Sequence, residues 1–356
     1  EMTTLCMSKG KKQVLSLAGG LLALLLAALI ALGLLFHREF STLTSIRKLD
    51  DAPFYVMDYT ADYGLEEFLA QGASSDQELS AFVIQKLMKG LPVTITLPDL
   101  SCSTFNARLE NGDAVFGRNF DNPIKPCMLV HTDPEDGYES ISMVNLGYVG
   151  YGGDYVPEGF PASLLSLAAP YIPLDGVNEK GLSIGVLQLD VEPTHQDNGH
   201  TDITTSSAIR LILDRAATVD EAVELLRRYD MHSSANACFH FQIADAHGSS
   251  VVAEYVDGQL SLVRPEENYQ WCTNFFLSPG ELYDVGRGQD RYETLKRLLA
   301  QSNGLLPDEN AAMDCLEAVA QDSTFWSAVY NNTNATVELT LHGNYEKSYR
   351  FDLEQW

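Results

Sequence analysis

The hydrophobic pattern of the chain changes abruptly after its first 36 residues. An almost unbroken apolar run extends from Val14 to Phe36, and three lysines precede it within positions 9–12. About 20 apolar residues in a helix cross a bilayer, and this run has no small-residue cleavage site of the kind that ends a signal peptide. The pattern therefore predicts a transmembrane signal anchor over residues 13–36. Residues 1–12 would be a cytoplasmic tip and the remainder would be extracellular.

A weaker pattern follows in residues 37–101, which we interpret as a spacer or propeptide with one good helix. The residues Ser75 to Glu78 form a capping box, in which the Ser hydroxyl and the Glu carboxylate satisfy free backbone N–H groups. From Leu91 to Leu97 apolar residues alternate with threonine, as in a strand. Pro98 interrupts this alternation just ahead of Cys102, which predicts an exposed strand end or loop there.

Strands and helices are mixed beyond Cys102. The Asn111-Gly112 pair predicts a hairpin, Leu182 to Leu189 reads as a buried strand, and three alternating runs from Phe239 to Val263 predict a β-meander. Helices are predicted at 206–217, 218–229, 289–301 and 308–321, with strands again from 326 to 353. Runs of strands separated by runs of helices are typical of an α+β fold with antiparallel sheets. We assign residues 102–356 to one domain.

Composition and charge narrow the classes of function. Acidic residues outnumber basic ones by 49 to 23, and the formal net charge of -26 argues against nucleic acid as a partner. Five of the six cysteines lie beyond the predicted anchor. This odd number leaves at least one thiol free or paired between molecules. No cysteine or histidine cluster has zinc-site spacing, so we predict neither a metal nor another cofactor. The sequence leaves a homo-oligomer open.

Cys102 is the strongest candidate for a reactive group. The predicted hairpin brings Arg118 and Asp121 back beside it. A cation close to a thiol favours the thiolate, which is the reactive form. A carboxylate can hold an amine through a charge-assisted hydrogen bond.

The base that would activate this thiol is harder to find in the sequence. A papain-like enzyme needs a partner histidine, but no histidine stands out, and His240 lies in a predicted strand where a structural role is commoner. The alternative base is the α-amino group of Cys102 itself, once the chain is cut after Ser101. Such an amine has a pKa of about 7.7–8.0, which suits a general base at neutral pH.

The segment from Cys102 to Asp121 resembles the N-terminus of the choloylglycine hydrolase family, whose members include bile-salt hydrolases and penicillin V acylases. In that family an N-terminal cysteine is the nucleophile. Arg118 and Asp121 follow Cys102 by 16 and 19 residues, as the family's arginine and aspartate do. Four later segments resemble family motifs and follow in the same order as in the family: residues 178–182, 239–245, 272–275 and 290–292.

The resemblance implies a four-layer αββα sandwich of two antiparallel sheets, the N-terminal-nucleophile hydrolase fold. It also implies roles for individual residues. Cys102 would attack an amide carbonyl and form a thioester, and Asp121 would position the α-amine. Arg118 and Arg291 would supply positive charge, and Asn274 would donate a hydrogen bond to the oxyanion.

Two departures from the family pattern matter. Gln188 stands where bile-salt hydrolases carry asparagine, although the oxyanion contact expected there comes from the backbone N–H. About a hundred residues also precede the nucleophile. We therefore expect autoproteolysis, in which Cys102 attacks the carbonyl of Ser101.

The expected activity is hydrolysis of a linear carbon–nitrogen amide bond, with an N-acyl amino acid, a conjugated bile salt or a penicillin V-like compound as substrate. Acyl transfer to another amine is a close variant. Two readings from other classes remain open. One is a non-catalytic surface binding protein on the same fold, and the other is a cysteine protease with a histidine partner.

Overall fold

The computed structural model describes residues 33–34, 36–95, 101–123 and 125–356. The predicted anchor at 13–36 and the predicted cytoplasmic tip fall almost wholly outside these ranges, so both stay predictions. Within the ranges that are described, no helix is long and apolar enough to cross a membrane.

Strands dominate the described part of the chain. The strands are β1 (Arg47–Asp50), β2 (Phe54–Tyr59), β3 (Ser101–Leu109), β4 (Ala114–Asp121), β5 (Cys127–Thr132), β6 (Ser140–Asn145), β7 (Pro173–Asn178), β8 (Ser183–Leu189), β9 (Thr201–Thr204), β10 (Tyr229–His232), β11 (Cys238–Ala244), β12 (Ser250–Val256), β13 (Gln259–Val263), β14 (Gln270–Cys272), β15 (Asn274–Phe275), β16 (Gly286–Arg287), β17 (Leu305–Leu306), β18 (Thr324–Asn331), β19 (Thr336–Leu341) and β20 (Asn344–Asp352). The α-helices are α1 (His37–Thr44), α2 (Leu65–Gln71), α3 (Asp76–Lys86), α4 (Thr205–Arg215), α5 (Val219–Arg228), α6 (Gln289–Ser302) and α7 (Glu309–Glu317).

Two large sheets form a sandwich. The first has the strand order β1-β2-β5-β6-β7-β8-β11-β12-β13, and the second has the order β14-β3-β4-β18-β19-β20, with β17 beside β3. The prediction of antiparallel sheets holds for most pairs, but β2 runs parallel to β5 and β17 runs parallel to β3. Helices α4 and α5 pack on the first sheet, while α6 and α7 pack on the second.

Local sequence signals placed most of the regular elements downstream of Cys102 correctly. Strands β3 and β4 form the predicted hairpin, with Gly112 at a φ of 97° that only glycine adopts readily. The predicted capping box is confirmed in part, because the Ser75 hydroxyl accepts the backbone N–H of Glu78, whereas the Glu78 carboxylate accepts the N–H of Ser74 and not that of Ser75. The last predicted helix is shorter than expected and ends at Glu317.

The segment at 37–101 contains far more structure than the single predicted helix. Three helices and two strands occupy it, and β2 pairs with β5 along its whole length, from Phe54 beside Cys127 to Tyr59 beside Thr132. Residues 91–95 form no strand, and 96–100 lie outside the described residues. Strand β2 was missed because nearly all of its residues are buried, which removes the polar alternation that marks a half-exposed strand.

Tyr63 ties this upstream segment to the rest of the molecule. Its hydroxyl donates to Asp214 Oδ2 at 2.6 Å, and Asp214 is also paired with Arg210 inside the first sheet's helical cover. All three side chains are buried. A buried carboxylate that loses a donor bears an added desolvation cost, so the contact couples the upstream segment to α4.

We expect Tyr63→Phe to lower the free energy of unfolding by about 1–3 kcal/mol, since Asp214 loses one donor in a buried site. Denaturant unfolding followed by circular dichroism measures this change. Tyr283→Phe, at a tyrosine that is 60% exposed, is the matched control and should change stability by less than about 0.5 kcal/mol. Equal effects of the two variants would contradict the prediction.

Candidate active site

Cys102 lies on β3, one residue after the strand begins. Its pairing partner across the hairpin is Phe120, and Ser101 pairs with Asp121. Directly opposed residues in an antiparallel pair share a face, so Cys102 faces the interior between the sheets. Its side chain is fully buried. Ser101 points to the opposite face, toward α6.

Other elements hold the N–H of the Ser101–Cys102 peptide and the polar groups that flank it. The backbone N–H of Cys102 donates to Asn274 Oδ1 at 2.7 Å. Arg291 donates through Nη1 to the Cys102 carbonyl oxygen and through Nη2 to Ser101 Oγ at 2.9 Å. The bond that the sequence predicts to be cut is therefore held through its N–H by Asn274, while Arg291 fixes the groups on either side of it.

Asn274 is the centre of this network. Besides the Cys102 N–H, its Oδ1 accepts from Arg291 Nη2 at 3.0 Å, and its Nδ2 donates to the Gln188 carbonyl at 2.9 Å. These partners fix which end of the amide carries the oxygen. The sequence-based role for Asn274 was to donate to an oxyanion, whereas in this uncut chain its amide group faces the Gln188 carbonyl.

Gln188 and Asp121 were also predicted at the site. Gln188 is 5% exposed on β8 and contributes its backbone carbonyl. Asp121 accepts hydrogen bonds from Thr324 Oγ1 at 2.6 Å and Gln321 Nε2 at 2.7 Å, and it lies 3.7 Å from Arg291 Nη1. Burial raises the pKa of Asp121, and its hydrogen-bond donors and Arg291 oppose that rise.

Arg118 forms a buried ion pair on the thiol side of the hairpin. Its Nε lies 3.2 Å from Asp175 Oδ2, and both side chains are inaccessible to solvent. Trp326 and Tyr330 also donate to Asp175. Burial works against the charge on Arg118, but Cys102 and Asp175 outweigh it and raise the pKa of the guanidinium. Arg118 therefore stays charged beside the sulfur.

The thiol of Cys102 is protonated in this environment at neutral pH. Burial raises the pKa of Cys102 to about 11, and the positive charges of Arg118 and Arg291 only partly offset that effect. Thiolate is the nucleophilic form. A base, or a change that exposes the sulfur, is therefore required before the group reacts readily near pH 7.

Sequence reasoning missed three side chains around the cysteine. Asp175, Gln321 and Thr324 hold the charged residues just described, yet none has a distinctive local motif. A further group, Tyr148, comes from the connection between β6 and β7. Its hydroxyl and both terminal nitrogens of Arg118 are buried and have no hydrogen-bond partner among the described residues. These donors lie on the thiol side of the sandwich.

No histidine in the described chain is placed to act as the base for Cys102. His240, the histidine in a predicted strand, contacts Cys272 instead, with Cys272 Sγ 3.4 Å from His240 Nε2. Its Nε2 donates to the Thr273 carbonyl at 2.7 Å and its Nδ1 lies 3.0 Å from Glu254. A ring that donates through both nitrogens has no lone pair for a thiol proton.

All five cysteines in the described residues are free and buried. Within those residues, no group of three or more histidine, cysteine, aspartate or glutamate side chains is arranged to hold a metal ion.

A family model described as acyl-coenzyme A:6-aminopenicillanic acid acyl-transferase matches residues 108–346. That range covers well over half of the chain. The chain belongs to this family. The match includes Arg118, Asp121, Asn274 and Arg291, while Cys102 lies six residues before its start.

Among family relatives, a penicillin V acylase from Pectobacterium atrosepticum is 33% identical over 114 residues. This match covers 28% of the chain and spans only 29% of the relative's length. Two crystal structures of variants of conjugated bile acid hydrolase from Clostridium perfringens share the fold, with TM-scores of 0.53 and 0.52. They are 16% and 15% identical, and each alignment covers 72% of this chain and 93% of the hydrolase.

We expect Asp175→Asn to lower the free energy of unfolding by about 3–5 kcal/mol, because it leaves Arg118 buried without a charged partner. Chemical denaturation of the purified variant measures the loss. Asp220→Asn removes the partner of Arg264 from an exposed pair and is the control, with an expected change below about 1 kcal/mol. A loss at Asp175 no larger than at Asp220 would refute the structural role of the pair.

Proposed function

We propose that this family member hydrolyses a linear carbon–nitrogen amide bond through Cys102, after the chain cuts itself between Ser101 and Cys102. The observation that carries the proposal is the network around that one peptide bond. Asn274 accepts the N–H of that bond, Arg291 holds the Cys102 carbonyl and the Ser101 hydroxyl on either side of it, and the charge of Arg118 acts on the sulfur. The family match and the named activities of the relatives support the same chemistry.

In the cutting step, Cys102 Sγ adds to the Ser101 carbonyl carbon. The carbon–nitrogen bond then breaks, the Cys102 nitrogen takes a proton, and a thioester links Ser101 to the sulfur. Water hydrolyses this thioester, which leaves a carboxylate on Ser101 and a free α-amine and thiol on Cys102. Asn274 Oδ1 already faces this nitrogen, and Asp121, which pairs with Ser101 across the hairpin, would hold the resulting ammonium.

Turnover repeats this chemistry on an added amide. The α-amine of Cys102 takes the thiol proton, the sulfur attacks the substrate carbonyl, and the amine product leaves with a proton. Water then releases the acid and restores the thiol. Because cutting frees the backbone around position 102, the Asn274 amide can turn from Gln188 to the oxyanion, where one such donor is worth about 10²–10³ in rate.

Acyl transfer is the second candidate, and the description of the matching family favours it. The thioester is the same, but an amine resolves it instead of water. The two outcomes differ only in product, so one assay with and without added amine separates them. Acid accumulates in hydrolysis, while a new amide forms in transfer.

The substrate class that we propose is an acylated amine or amino acid with an apolar acyl group. The named substrates of the relatives, penicillin V and conjugated bile acids, are of this kind. We also propose that residues 13–36 anchor the protein as a single-pass membrane protein, with the catalytic domain outside the cell. The apolar run from Val14 to Phe36 supports this part of the proposal.

The decisive test replaces the nucleophile. Cys102→Ala should yield an uncut chain with no hydrolysis of N-acyl amino acids, conjugated bile salts or penicillin V. Wild-type protein should start at Cys102 by N-terminal sequencing, and its two fragments should co-purify until denatured, since β2 is paired within the first sheet. Mass spectrometry of wild-type protein with this substrate panel reports cutting and turnover together.

Cys315→Ala is the control, because this buried thiol lies on α7 among apolar residues. It should cut itself and turn over substrate like the wild type. An uncut chain with full activity would sink the self-cutting mechanism. Substrate hydrolysis by Cys102→Ala would refute the assignment of Cys102 as the nucleophile. A non-catalytic binding protein would show neither self-cutting nor hydrolysis.

The rate of self-cutting should rise with pH. Because the pKa of Cys102 is about 11 in the uncut chain, the thiolate fraction grows about tenfold per pH unit between pH 7 and 9. Precursor made by brief cell-free translation, then shifted to pH 7, 8 or 9, gives the rates by gel electrophoresis. A rate that stays flat or falls over this range would contradict thiolate attack as the limiting step.

A further inference from the structure

A buried charged pair lies beside the strand that carries Asn274. His240 on β11 and Glu254 on β12 both have no solvent exposure, and His240 Nδ1 lies 3.0 Å from Glu254 Oε1. The carbonyl of Thr273 can only accept, so His240 Nε2, at 2.7 Å, must donate to it. An ionised carboxylate also only accepts. The ring therefore donates through both nitrogens and is an imidazolium.

Glu254 completes a clamp on the other side of Asn274. Its Oε1 accepts the backbone N–H of Leu277 at 2.9 Å, and its Oε2 accepts that of Ser278 at 2.8 Å. The pair thus bonds the chain one residue before Asn274 and again three and four residues after it. Strand β15 lies between these points, and it pairs with β16 over only two residues.

The charges in this clamp are fully partnered. Burying an ion pair is costly unless hydrogen bonds satisfy its remaining atoms, and here each nitrogen of His240 and each oxygen of Glu254 has a partner. Burial opposes the charge on His240, but Cys272 and Glu254 outweigh it and raise its pKa. Charge-assisted bonds of this kind are strong and directional. They hold the backbone on both sides of Asn274 in one place.

We propose that His240 and Glu254 are positioning residues, which fix the Asn274 carboxamide against the Cys102 nitrogen and so set the rate of chemistry at Cys102. This inference rests on the proposed function. Neither residue forms a hydrogen bond with Cys102, and both bind the backbone that flanks Asn274. Misplacing a group by about 1 Å can cost up to about 10²-fold in rate.

Cys272 offers a rival interpretation of the same cluster. With its sulfur 3.4 Å from His240 Nε2, the cysteine, histidine and glutamate look like a second nucleophilic triad. The rival predicts that Cys272→Ala abolishes turnover, whereas the clamp predicts a kcat within about threefold of wild type. Loss of turnover in folded Cys272→Ala would overturn the positioning role.

The main experiment compares two matched histidines. His240→Gln removes the charged ring that links Thr273 to Glu254. Glu254→Gln keeps the shape of the side chain, but its N–H₂ group cannot accept a hydrogen bond from the backbone N–H of Leu277 or Ser278 that it then faces. We expect each to lower kcat about 10–100-fold while KM stays within about threefold. His131→Gln is the control, because both ring nitrogens of His131 also have hydrogen-bond partners, the carboxylates of Asp58 and Glu139, but on β5. Its kcat should equal that of the wild type.

A double-mutant cycle asks whether the clamp acts through Asn274. If it does, His240→Gln or Glu254→Gln should cost little further activity in an Asn274→Ala background, where the positioned group is gone. Losses that multiply in the double variants would overturn the inference. Folded single variants with wild-type kcat would overturn it as well.

Hydrogen exchange on the wild-type protein tests the clamp without any variant. The N–H groups of Leu277 and Ser278 should exchange slowly in the peptide that spans 276–279, and fast exchange there would refute the clamp even if the variants fail to fold.

Cys102→Ala, run in parallel, separates the two proposals. Hydrolysis that survives Cys102→Ala refutes the proposed function. Hydrolysis that depends on Cys102 but not on the clamp refutes only the positioning role.

Discussion

The amide of Asn274 is the interaction on which the candidate site depends. Its oxygen binds the Cys102 N–H in the second sheet, and its nitrogen binds the Gln188 carbonyl in the first sheet. Arg291, from α6, reaches the same oxygen. One small side chain thus connects both sheets and a helix at the Ser101–Cys102 bond. A change in how the layers pack would therefore alter the geometry at that bond.

Much of this site could be predicted from the sequence, because local sequence signals predict the hairpin that holds three of its residues. A three-residue turn from Glu110 to Gly112 sets the hairpin register, and that register alone brings Arg118 and Asp121 back toward Cys102. Asn274 and Arg291 came from a family resemblance and not from spacing, since they lie more than 170 residues along the chain from Cys102. Their contacts are products of the tertiary fold.

The rest could not be predicted for physical reasons. Asp175 is a lone acidic residue in a buried strand, and nothing next to it in sequence reveals that Arg118 will be its partner. Strand β2 is apolar from Phe54 to Met57, a short run that fits a buried helix as well as a strand. The sequence also suggested an ordinary structural histidine at His240, and its two hydrogen-bond partners are distant in the chain.

The parallel pairing of β2 with β5 has a consequence for how the protein must be made. A recombinant chain that starts at Cys102 would leave β5 as an unprotected edge of the large sheet, with its backbone groups open to pairing with other chains. The apolar side chains of β5, all buried in the native fold, would lose part of their cover. Aggregation is the expected fate of such a shortened product. The upstream segment therefore belongs to the folding unit, whatever later becomes of the peptide bond that follows it.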